Sequence, residues 1–231
     1  MDLKNKIVLI TGASSGIGKA ISQSLIKKGA KIIVFGINKP EFNCEFHKVN
    51  VSNENEISIA MKKIEQIDIL INNAGVVHVA KLKDTSTKML NDILDINFKG
   101  LFFMCKYAIP KLSKNACILN ISSIAGIKNY EEYGIYCASK AAVISLTKTL
   151  ALELSDKKIR VNAIAPGIID TIIWKKMYGK DAKKELAAEA KTVPLKRPGT
   201  PEEIAHAAVF ACENDYLNGE VIVVDGGETI Q

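Results

Sequence analysis

Residues 11–18 read TGASSGIG, and this glycine-rich stretch decides how the chain is expected to fold. The β-branched run 6–11 (KIVLIT) comes before it, and 17–28 follows with apolar residues at a helical period. A strand, a turn with three glycines and a helix therefore follow one another directly. This order is typical of a unit in which parallel strands alternate with helices.

The same alternation continues to the end of the chain. Apolar runs predict further strands at 31–35, 46–49, 68–71, 117–121, 160–164 and 220–224, and helical patterns predict helices at 54–67, 87–112, 135–154 and from 201 onward. Strands that are almost wholly apolar are buried on both faces, so helices must cover each side of a parallel sheet. The expected fold is α/β, with a doubly wound, seven-stranded parallel sheet of the Rossmann type in a single domain, 1–231.

One late segment departs from this regular pattern. Residues 171–198 are the least regular and most polar part of the second half, and within them 174–191 form a Lys/Ala-rich amphipathic stretch. Short elements beside the carboxyl ends of strands often close over a substrate. We therefore predict a mobile substrate lid at about 171–198.

The composition is that of an ordinary globular protein, with 48% hydrophobic and 24% charged residues. The net charge is +6, from 31 Lys and Arg against 25 Asp and Glu, but no basic run alternates with aromatic residues. We therefore expect no nucleic-acid partner. No apolar stretch approaches the roughly 20 residues of a membrane helix, so we expect no membrane contact.

The five cysteines are Cys44, Cys105, Cys117, Cys137 and Cys212. They form no CxxC pair and have no zinc-ligand spacing, so no metal site is expected. Most lie in apolar stretches, as is typical of buried thiols in a reducing compartment. Since no signal pattern precedes the first strand, we expect a cytoplasmic location.

The glycine-rich turn predicts a phosphate site. Glycines let backbone N–H groups approach a pyrophosphate, and the next helix presents its positive N-terminus to the anion. The spacing is not the common Gly-x-Gly-x-x-Gly, and no Gly-Lys-Ser/Thr follows as in a Walker loop. A dinucleotide is the expected ligand, and a plain turn is the alternative.

Tyr136 and Lys140 lie four positions apart in a helical segment, and therefore on one helix face. A free tyrosine has a pKa of about 10, and a nearby ammonium group lowers that pKa. Such a pair can take a proton from an alcohol or give one to an alkoxide. Taken alone, the spacing is also that of an ordinary surface pair.

Together, these motifs resemble the short-chain dehydrogenase/reductase family in its compact, single-domain branch. The matching stretches are 11–18 (TGASSGIG), 72–75 (NNAG), Asn97 in DINFKG, Ser122-Ser123, 136–140 (YCASK), Pro166-Gly167 and 225–227 (DGG). The resemblance covers essentially the whole chain. It implies an NAD(P)-dependent oxidoreductase that moves a hydride between nicotinamide and an alcohol/carbonyl pair.

The resemblance also implies catalytic roles for four residues. Ser123, thirteen residues before Tyr136, would polarise the substrate oxygen, and this spacing favours it over Ser122. Tyr136 would be the general acid/base. Lys140 would bond the nicotinamide ribose and lower the tyrosine pKa, and Asn97 would hold a water molecule in a proton relay.

Most of the implied site residues would hold the cofactor, whereas the turn at 225–227 is expected to be structural. The cofactor-binding set is Gly12, Ser14, Ser15, Gly16, Ile17, Gly18, Asn38, Asn50, Val51, Asn73, Ala74, Gly75, Tyr136, Lys140, Pro166, Gly167, Ile169 and Thr171.

Three departures from the family pattern bear on the cofactor. Gly36 ends the second strand, where NAD-preferring relatives carry an acidic residue, so nothing there repels a 2′-phosphate. Asn38 and Lys39 could contact that phosphate, although Ile37 replaces the arginine of NADP-preferring relatives. NADP(H) is therefore favoured over NAD(H). Asn50 replaces an adenine-binding aspartate, and its amide oxygen can accept the same hydrogen bond.

Two substrate classes remain open. The link 37–45 is too short for a helix and is similar to that of archaeal aldose dehydrogenases, which favours a sugar or other small hydroxy compound. The alternative is a 3-oxoacyl-thioester reductase of fatty-acid synthesis. A basic patch for an acidic carrier protein could come from Lys175, Lys176, Lys180, Lys183 and Lys184.

An alternative of another class is a non-catalytic dinucleotide sensor. Loss of Tyr136 or Lys140 would favour it, and both are present. Aromatic and thioether side chains are expected to shape the substrate site, namely Tyr130, Tyr133, Trp174, Met177 and Tyr178. The family also implies a homotetramer formed through its long helices.

Overall fold

The computed structural model describes all 231 residues, and in it seven strands form one sheet. The strands are β1 (Ile7–Thr11), β2 (Lys31–Gly36), β3 (Glu45–Lys48), β4 (Ile67–Asn72), β5 (Leu112–Ile121), β6 (Arg160–Pro166) and β7 (Val221–Val224). Their order across the sheet is β3-β2-β1-β4-β5-β6-β7, and every neighbouring pair is parallel. The predicted doubly wound, seven-stranded fold is confirmed.

Helices cover both faces of the sheet. They are α1 (Gly16–Lys27), α2 (Glu54–Met61), α3 (Thr87–Ile93), α4 (Leu101–Ala108), α5 (Gly134–Glu153), α6 (Ile172–Tyr178), α7 (Ala182–Ala190) and α8 (Pro201–Glu213). Residues of α1 and α8 share one buried apolar cluster, and residues of α2, α4 and α5 share another. The sheet separates these two cores because strand side chains alternate: Leu9 enters one core, and Val8 and Ile10 enter the other.

The helix predicted at 87–112 is helical from residue 87 to residue 111, but it is not α-helical throughout. A π-helical turn, Leu94–Gly100, joins α3 to α4, and a 3-10 turn, Ile109–Lys111, follows α4 before β5 begins at Leu112. Gly100 lies so close to Val51 that an added Cβ would be 2.8 Å from the Val51 carbonyl oxygen. At Gly100 and at the buried Asn97, the backbone of this turn lies close to neighbouring segments. The spacing of apolar residues in the sequence does not reveal such contacts.

The helix predicted at 54–67 is also too long. Helix α2 ends at Met61, and Ile67 opens β4 by pairing with Leu112 of β5. Ile64 and Ile67 happen to continue the helical spacing. Both are buried in the core, but Ile64 lies in the link after α2 and Ile67 lies in β4. Tertiary packing therefore decides this boundary.

The segment 171–198, with its amphipathic stretch 174–191, contains α6 and α7. A 3-10 turn, Gly179–Asp181, separates them, and Gly179 has a φ of +55°. That left-handed conformation favours glycine and ends α6.

Helix α5 corrects the expectation that no stretch is suited to a membrane. By length and composition alone, Gly134–Glu153 could cross a membrane. In the fold it packs beside β6, and one side buries Val143, Thr147 and Leu150. The apolar character of α5 is therefore explained in part by the core.

Candidate active site

A cavity of about 580 Å³ lies at the carboxyl ends of the central strands. Residues just after four strands line it: Gly12 after β1, Asn73 after β4, Ser123 after β5 and Gly167 after β6. Strands β1 and β4 are neighbours in the sheet, and the chain order reverses between them. In doubly wound sheets, such a switch point is where ligands bind.

The structure brings nearly all predicted site residues to this one cavity. The exceptions are Gly18 and Asn97, which lie behind its wall. Of the residues expected to contact a 2′-phosphate, Asn38 lines the cavity and Lys39 does not.

The glycine-rich turn is held by close backbone contacts. An added Cβ on Gly12, whose φ is +67°, would lie 2.9 Å from the Ala74 Cα. The Asn73 side-chain amide donates to the carbonyls of Thr11 and Gly12 at 3.0 and 2.9 Å. Gly18 leaves room for that amide, since its Cβ would lie 2.4 Å from Asn73 Nδ2. Gly18 therefore shapes the turn without lining the cavity.

The N-terminus of α1 faces the cavity, and no side chain of the protein caps its N–H groups. Its N-cap residue, Ser15, makes no capping hydrogen bond, and its first turn has no acidic side chain. Its first N–H groups and positive dipole are therefore available to an anion. With the close approach allowed at Gly12 and Gly16, this donor set fits the pyrophosphate of a dinucleotide.

The adenosine side of the cavity is lined by Gly36, Ile37, Asn38 and Asn50. A Cβ on Gly36 would meet nothing closer than 3.9 Å, so this position has room for a side chain. Asn50 Oδ1 already accepts hydrogen bonds from the N–H and hydroxyl of Ser52 at 3.1 and 2.9 Å. Adenine can reach this oxygen only if the Ser52 hydroxyl turns away.

Ser123 and Tyr136 meet at the far end of the cavity. Ser123 follows β5, and its hydroxyl caps the short turn Ile124–Gly126 by accepting from Ala125 N at 3.1 Å. The neighbouring Ser122 hydroxyl instead donates to the carbonyl of Lys140 at 2.9 Å, a structural bond. Burial raises the pKa of Tyr136, and a hydrogen bond with Ser123 opposes that rise.

Lys140 lies one turn after Tyr136, with Nζ 5.8 Å from the tyrosine ring centre. Its ammonium donates to the carbonyl of Ile121 at 2.9 Å. Burial lowers the pKa of Lys140 to about 8. Burial has the largest effect on the pKa of Tyr136, and Lys140 is not among the groups that shift it in this structure.

Asn97 lies buried in the π-helical turn between α3 and α4. Its side-chain oxygen accepts from Val76 N at 2.8 Å, and its amide donates to Val76 O at 2.9 Å. The amide also reaches the Ser139 hydroxyl of α5 at 3.3 Å. The side chain therefore fixes the loop after β4 against α5, close to Lys140.

The wall opposite the tyrosine comes from the segment after β6. Gly167 packs so tightly that a Cβ would lie 2.8 Å from the Asp225 Cα. Trp174 of α6 donates from Nε1 to the carbonyl of Ile169 at 2.9 Å, which ties α6 to this wall. Thr171, the N-cap of α6, makes no capping bond with its side chain.

Aromatic side chains form the rest of this end, largely as predicted. The rings of Tyr130, Tyr133 and Tyr136 follow one another edge to face, with centres 6.2 and 6.3 Å apart. Trp174 also lines the cavity and stacks on Tyr178, which lies outside the wall.

Two functional positions were missed in the sequence. The Thr11 hydroxyl accepts from the backbone N–H groups of Asn73 and Ala74, joining the turn to the end of β4. Glu228 lines the cavity from the C-terminal turn and accepts from the Tyr130 hydroxyl at 2.7 Å. The hydroxyl at the end of β1 is a detectable signal, but no local pattern marks Glu228.

The structural role expected for 225–227 is supported by its hydrogen bonds. Asp225 accepts from Gly227 N, Thr229 N and the Thr229 hydroxyl, at 2.9, 2.7 and 2.7 Å. These bonds fold the last turn, Glu228–Ile230, back toward the cavity.

Comparison with known proteins finds reductases that match nearly the whole chain. The family model for enoyl-(acyl carrier protein) reductase matches residues 12–229. The 3-oxoacyl-[acyl-carrier-protein] reductase of Thermotoga maritima is 36% identical, with all of both chains covered.

Solved structures extend the comparison to other substrates. The aldohexose dehydrogenase of Thermoplasma acidophilum has a TM-score of 0.94 and 32% identity, covering 100% of this chain and 96% of that one. A structure of ElxO with NADP bound has a TM-score of 0.87 and 30% identity, covering 98% of this chain and 100% of that one.

Proposed function

Since the chain belongs to the short-chain dehydrogenase/reductase family and is thus an NAD(P)-dependent oxidoreductase of alcohol and carbonyl groups, we propose that it acts on a sugar or small polyol. Membership of this family also sets aside the alternative of a non-catalytic sensor. The observation that carries the reaction is the meeting of Ser123, Tyr136 and Lys140 in one cavity.

A nicotinamide cofactor bound at the glycine-rich turn and the segment after β6 would supply the hydride for carbonyl reduction or accept it in alcohol oxidation. Tyr136 would give the balancing proton in reduction and take it in oxidation. Because its pKa is raised, Tyr136 is a neutral phenol at pH 7 and is ready to protonate the developing alkoxide during reduction. Ser123 donates a hydrogen bond to the same oxygen and orients it.

Lys140 and Asn97 form the proposed proton route behind Tyr136. Lys140, with a pKa of about 8, can exchange a proton near neutral pH and can bond the ribose hydroxyls. Both N–H groups of the Asn97 amide are used, by Val76 O and the Ser139 hydroxyl, and its oxygen accepts one bond from Val76 N. The second lone pair of that oxygen and the irregular backbone of the π-helical turn are the groups that could hold a relay water.

The substrate half of the cavity supports a polyhydroxy compound. Glu131, Glu189 and Glu228 line it, together with Tyr133 and Trp174. Carboxylates accept hydrogen bonds from hydroxyl groups and repel anions, whereas aromatic faces suit the C–H face of a sugar.

NADP(H) is the proposed cofactor. Gly36 places no carboxylate at the end of β2, and Asn38 adds amide donors at the cavity wall. ElxO, a structural relative, binds NADP.

We further propose that α6 and α7 form a lid, since both border the cavity and α6 is tied to its wall through Trp174.

A homotetramer is proposed because Phe102 on α4 and Leu152 on α5 are 44% and 79% exposed, and light scattering would measure the mass. Five unpaired cysteines suit the reducing cytoplasm, the proposed location.

A second candidate is reduction of 3-oxoacyl thioesters. The Thermotoga maritima relative carries that name, and five lysines of the lid region are exposed. They are Lys175, Lys176, Lys180, Lys183 and Lys184. Such a surface could dock an acidic carrier protein.

Nicotinamide absorbance during turnover separates the candidates. NAD⁺ and NADP⁺ are tested with aldoses, polyols and secondary alcohols, and the reduced cofactors with 3-oxoacyl thioesters. Turnover of polyols that falls by roughly 100-fold or more in Tyr136→Phe supports the proposal. Activity confined to thioesters would replace the substrate class, and activity that survives in Tyr136→Phe would remove its acid/base role.

A further inference from the structure

Two buried side-chain oxygens in the chain have no hydrogen-bond partner: Asn72 Oδ1 and Glu228 Oε2. Asn72 lies at the end of β4 in the core and does not line the cavity. Glu228 is in the cavity wall although it is only 5% exposed. Leaving a buried acceptor unpaired is costly, so an unpaired oxygen on a residue that lines the cavity points to a ligand group that completes it.

The other oxygen of the same carboxylate is firmly held. Glu228 Oε1 accepts the Tyr130 hydroxyl at 2.7 Å, and the Glu228 carbonyl accepts from Lys128 Nζ at 3.3 Å. Asp225 fixes the turn beneath through three hydrogen bonds. Glu228 is therefore a preorganised acceptor whose second oxygen is left over.

Its neighbours connect the carboxylate to the reacting end of the cavity. The edge-to-face row of Tyr130, Tyr133 and Tyr136 runs from the Glu228 carboxylate to the proposed proton donor. A substrate that reaches both ends of this row would offer one oxygen to Tyr136 and another group to Glu228.

Burial raises the pKa of Glu228, and the hydrogen bond from Tyr130 opposes the rise. The nearby Asp225 and Glu189 carboxylates also raise it, whereas Lys128 lowers it. An anionic substrate group would add to this repulsion, so a hydroxyl donor fits best.

We propose that Glu228 is a specificity-determining residue whose Oε2 accepts a hydrogen bond from a substrate hydroxyl remote from the reacting carbon. The inference rests on the proposed sugar or polyol activity and names the contact that would select such substrates. Glu228 takes no part in the hydride or proton transfer.

The test compares substrates that differ by one hydroxyl. With the polyol or aldose that the enzyme turns over best, kcat/KM is measured for the parent and for each single-deoxy analogue, excluding the reacting position. In the wild type, removal of the contacted hydroxyl should lower kcat/KM by roughly 10- to 100-fold, because the carboxylate then stays unpaired. In Glu228→Ala the same removal should cost less than about threefold, whereas Glu228→Gln, whose amide oxygen can still accept a hydrogen bond, should keep part of the discrimination.

Matched variants separate this contact from structural effects. Tyr130→Phe keeps the carboxylate but frees Oε1, and should retain most of the discrimination. Glu65→Gln removes an exposed carboxylate outside the cavity and should discriminate as the wild type does. Cofactor binding, followed by fluorescence, shows whether each variant is folded.

The outcomes distinguish the inference from the function on which it rests. If the wild type turns over only 3-oxoacyl thioesters, the proposed function and this inference both fail. If polyols are substrates but Glu228→Ala discriminates each deoxy analogue as strongly as the wild type, only the inference fails. An equal loss on parent and analogues would likewise overturn it and assign Glu228 a structural role.

Discussion

The nucleotide half of the cavity is built from backbone, whereas the substrate half is built from side chains. In the first, Gly12, Gly16 and Asn73 bring peptide groups and a helix N-terminus to the ligand. In the second, Tyr133, Trp174 and Glu228 present their side chains from separate segments. A backbone surface fixes one ligand type for a whole family, and a side-chain surface can change its ligand through single substitutions.

The largest effect is expected at Gly18, which supports the nucleotide half of the site without lining the cavity. In Gly18→Ala, the new Cβ would lie 2.5 Å from the carbonyl oxygen of Gly12 and 2.4 Å from Asn73 Nδ2. The turn must shift, and a displacement of about 1 Å at a site can lower turnover by roughly 100-fold. Calorimetric cofactor affinity and kcat/KM should both fall.

Gly134→Ala is the matched control, because nothing lies within 4 Å of a Cβ at that position of α5. It should leave cofactor affinity unchanged. Unchanged affinity in Gly18→Ala as well would mean that the close packing of the turn does not govern cofactor binding.

This division explains how much could be predicted from the sequence. Turns that need glycine, such as 11–18, appear as short local motifs, so a nucleotide site at this turn could be predicted, and the apolar runs predicted a seven-stranded parallel sheet. Glu228 and Tyr130 are 98 positions apart, and no local pattern pairs them. The same holds for the π-helical turn at 94–100, where Asn97 contacts Val76 and Gly100 contacts Val51.

Lys140 lies where the two halves meet, and its burial should have a measurable cost in stability. A pKa lowered from 10.5 to about 8 corresponds to about 3 kcal/mol, since one pKa unit is about 1.4 kcal/mol. Below pH 8 the folded protein carries this buried charge. Between pH 8 and 10 the unfolded chain binds more protons than the folded one, so stability rises with pH.

Lys140→Met should therefore have a higher free energy of unfolding than the wild type at pH 7. Loss of the hydrogen bond to Ile121 O should reduce this gain by about 1 kcal/mol. Urea denaturation from pH 7 to 10 would measure both proteins. The advantage of the variant should shrink as the pH passes 8. A difference that stays constant with pH would show that Lys140 has an ordinary pKa.

Gly36 offers a smaller test, in which one side chain is added to the backbone half. Gly36→Asp has room for its Cβ. Its carboxylate should repel a 2′-phosphate and shift the ratio of kcat/KM for NADP to that for NAD by about tenfold toward NAD. Gly36→Asn has the same shape without the charge, and should keep the original ratio. An equal shift in both variants would point to shape rather than charge.

The smallest effect is expected at the hydrogen bond from Trp174 to Ile169, which joins the substrate half to the nucleotide half. Trp174→Phe keeps the ring against Tyr178 but removes the hydrogen bond to the carbonyl of Ile169. One neutral hydrogen bond contributes about 1 kcal/mol, so KM for the substrate should rise about fivefold. Cofactor affinity should change by less than about twofold, because Ile169 keeps its other contacts, including a strand-like pairing with Gly199. An equal loss of cofactor affinity would mean that α6 supports both halves, and that the side-chain surface cannot change its ligand independently of the backbone surface.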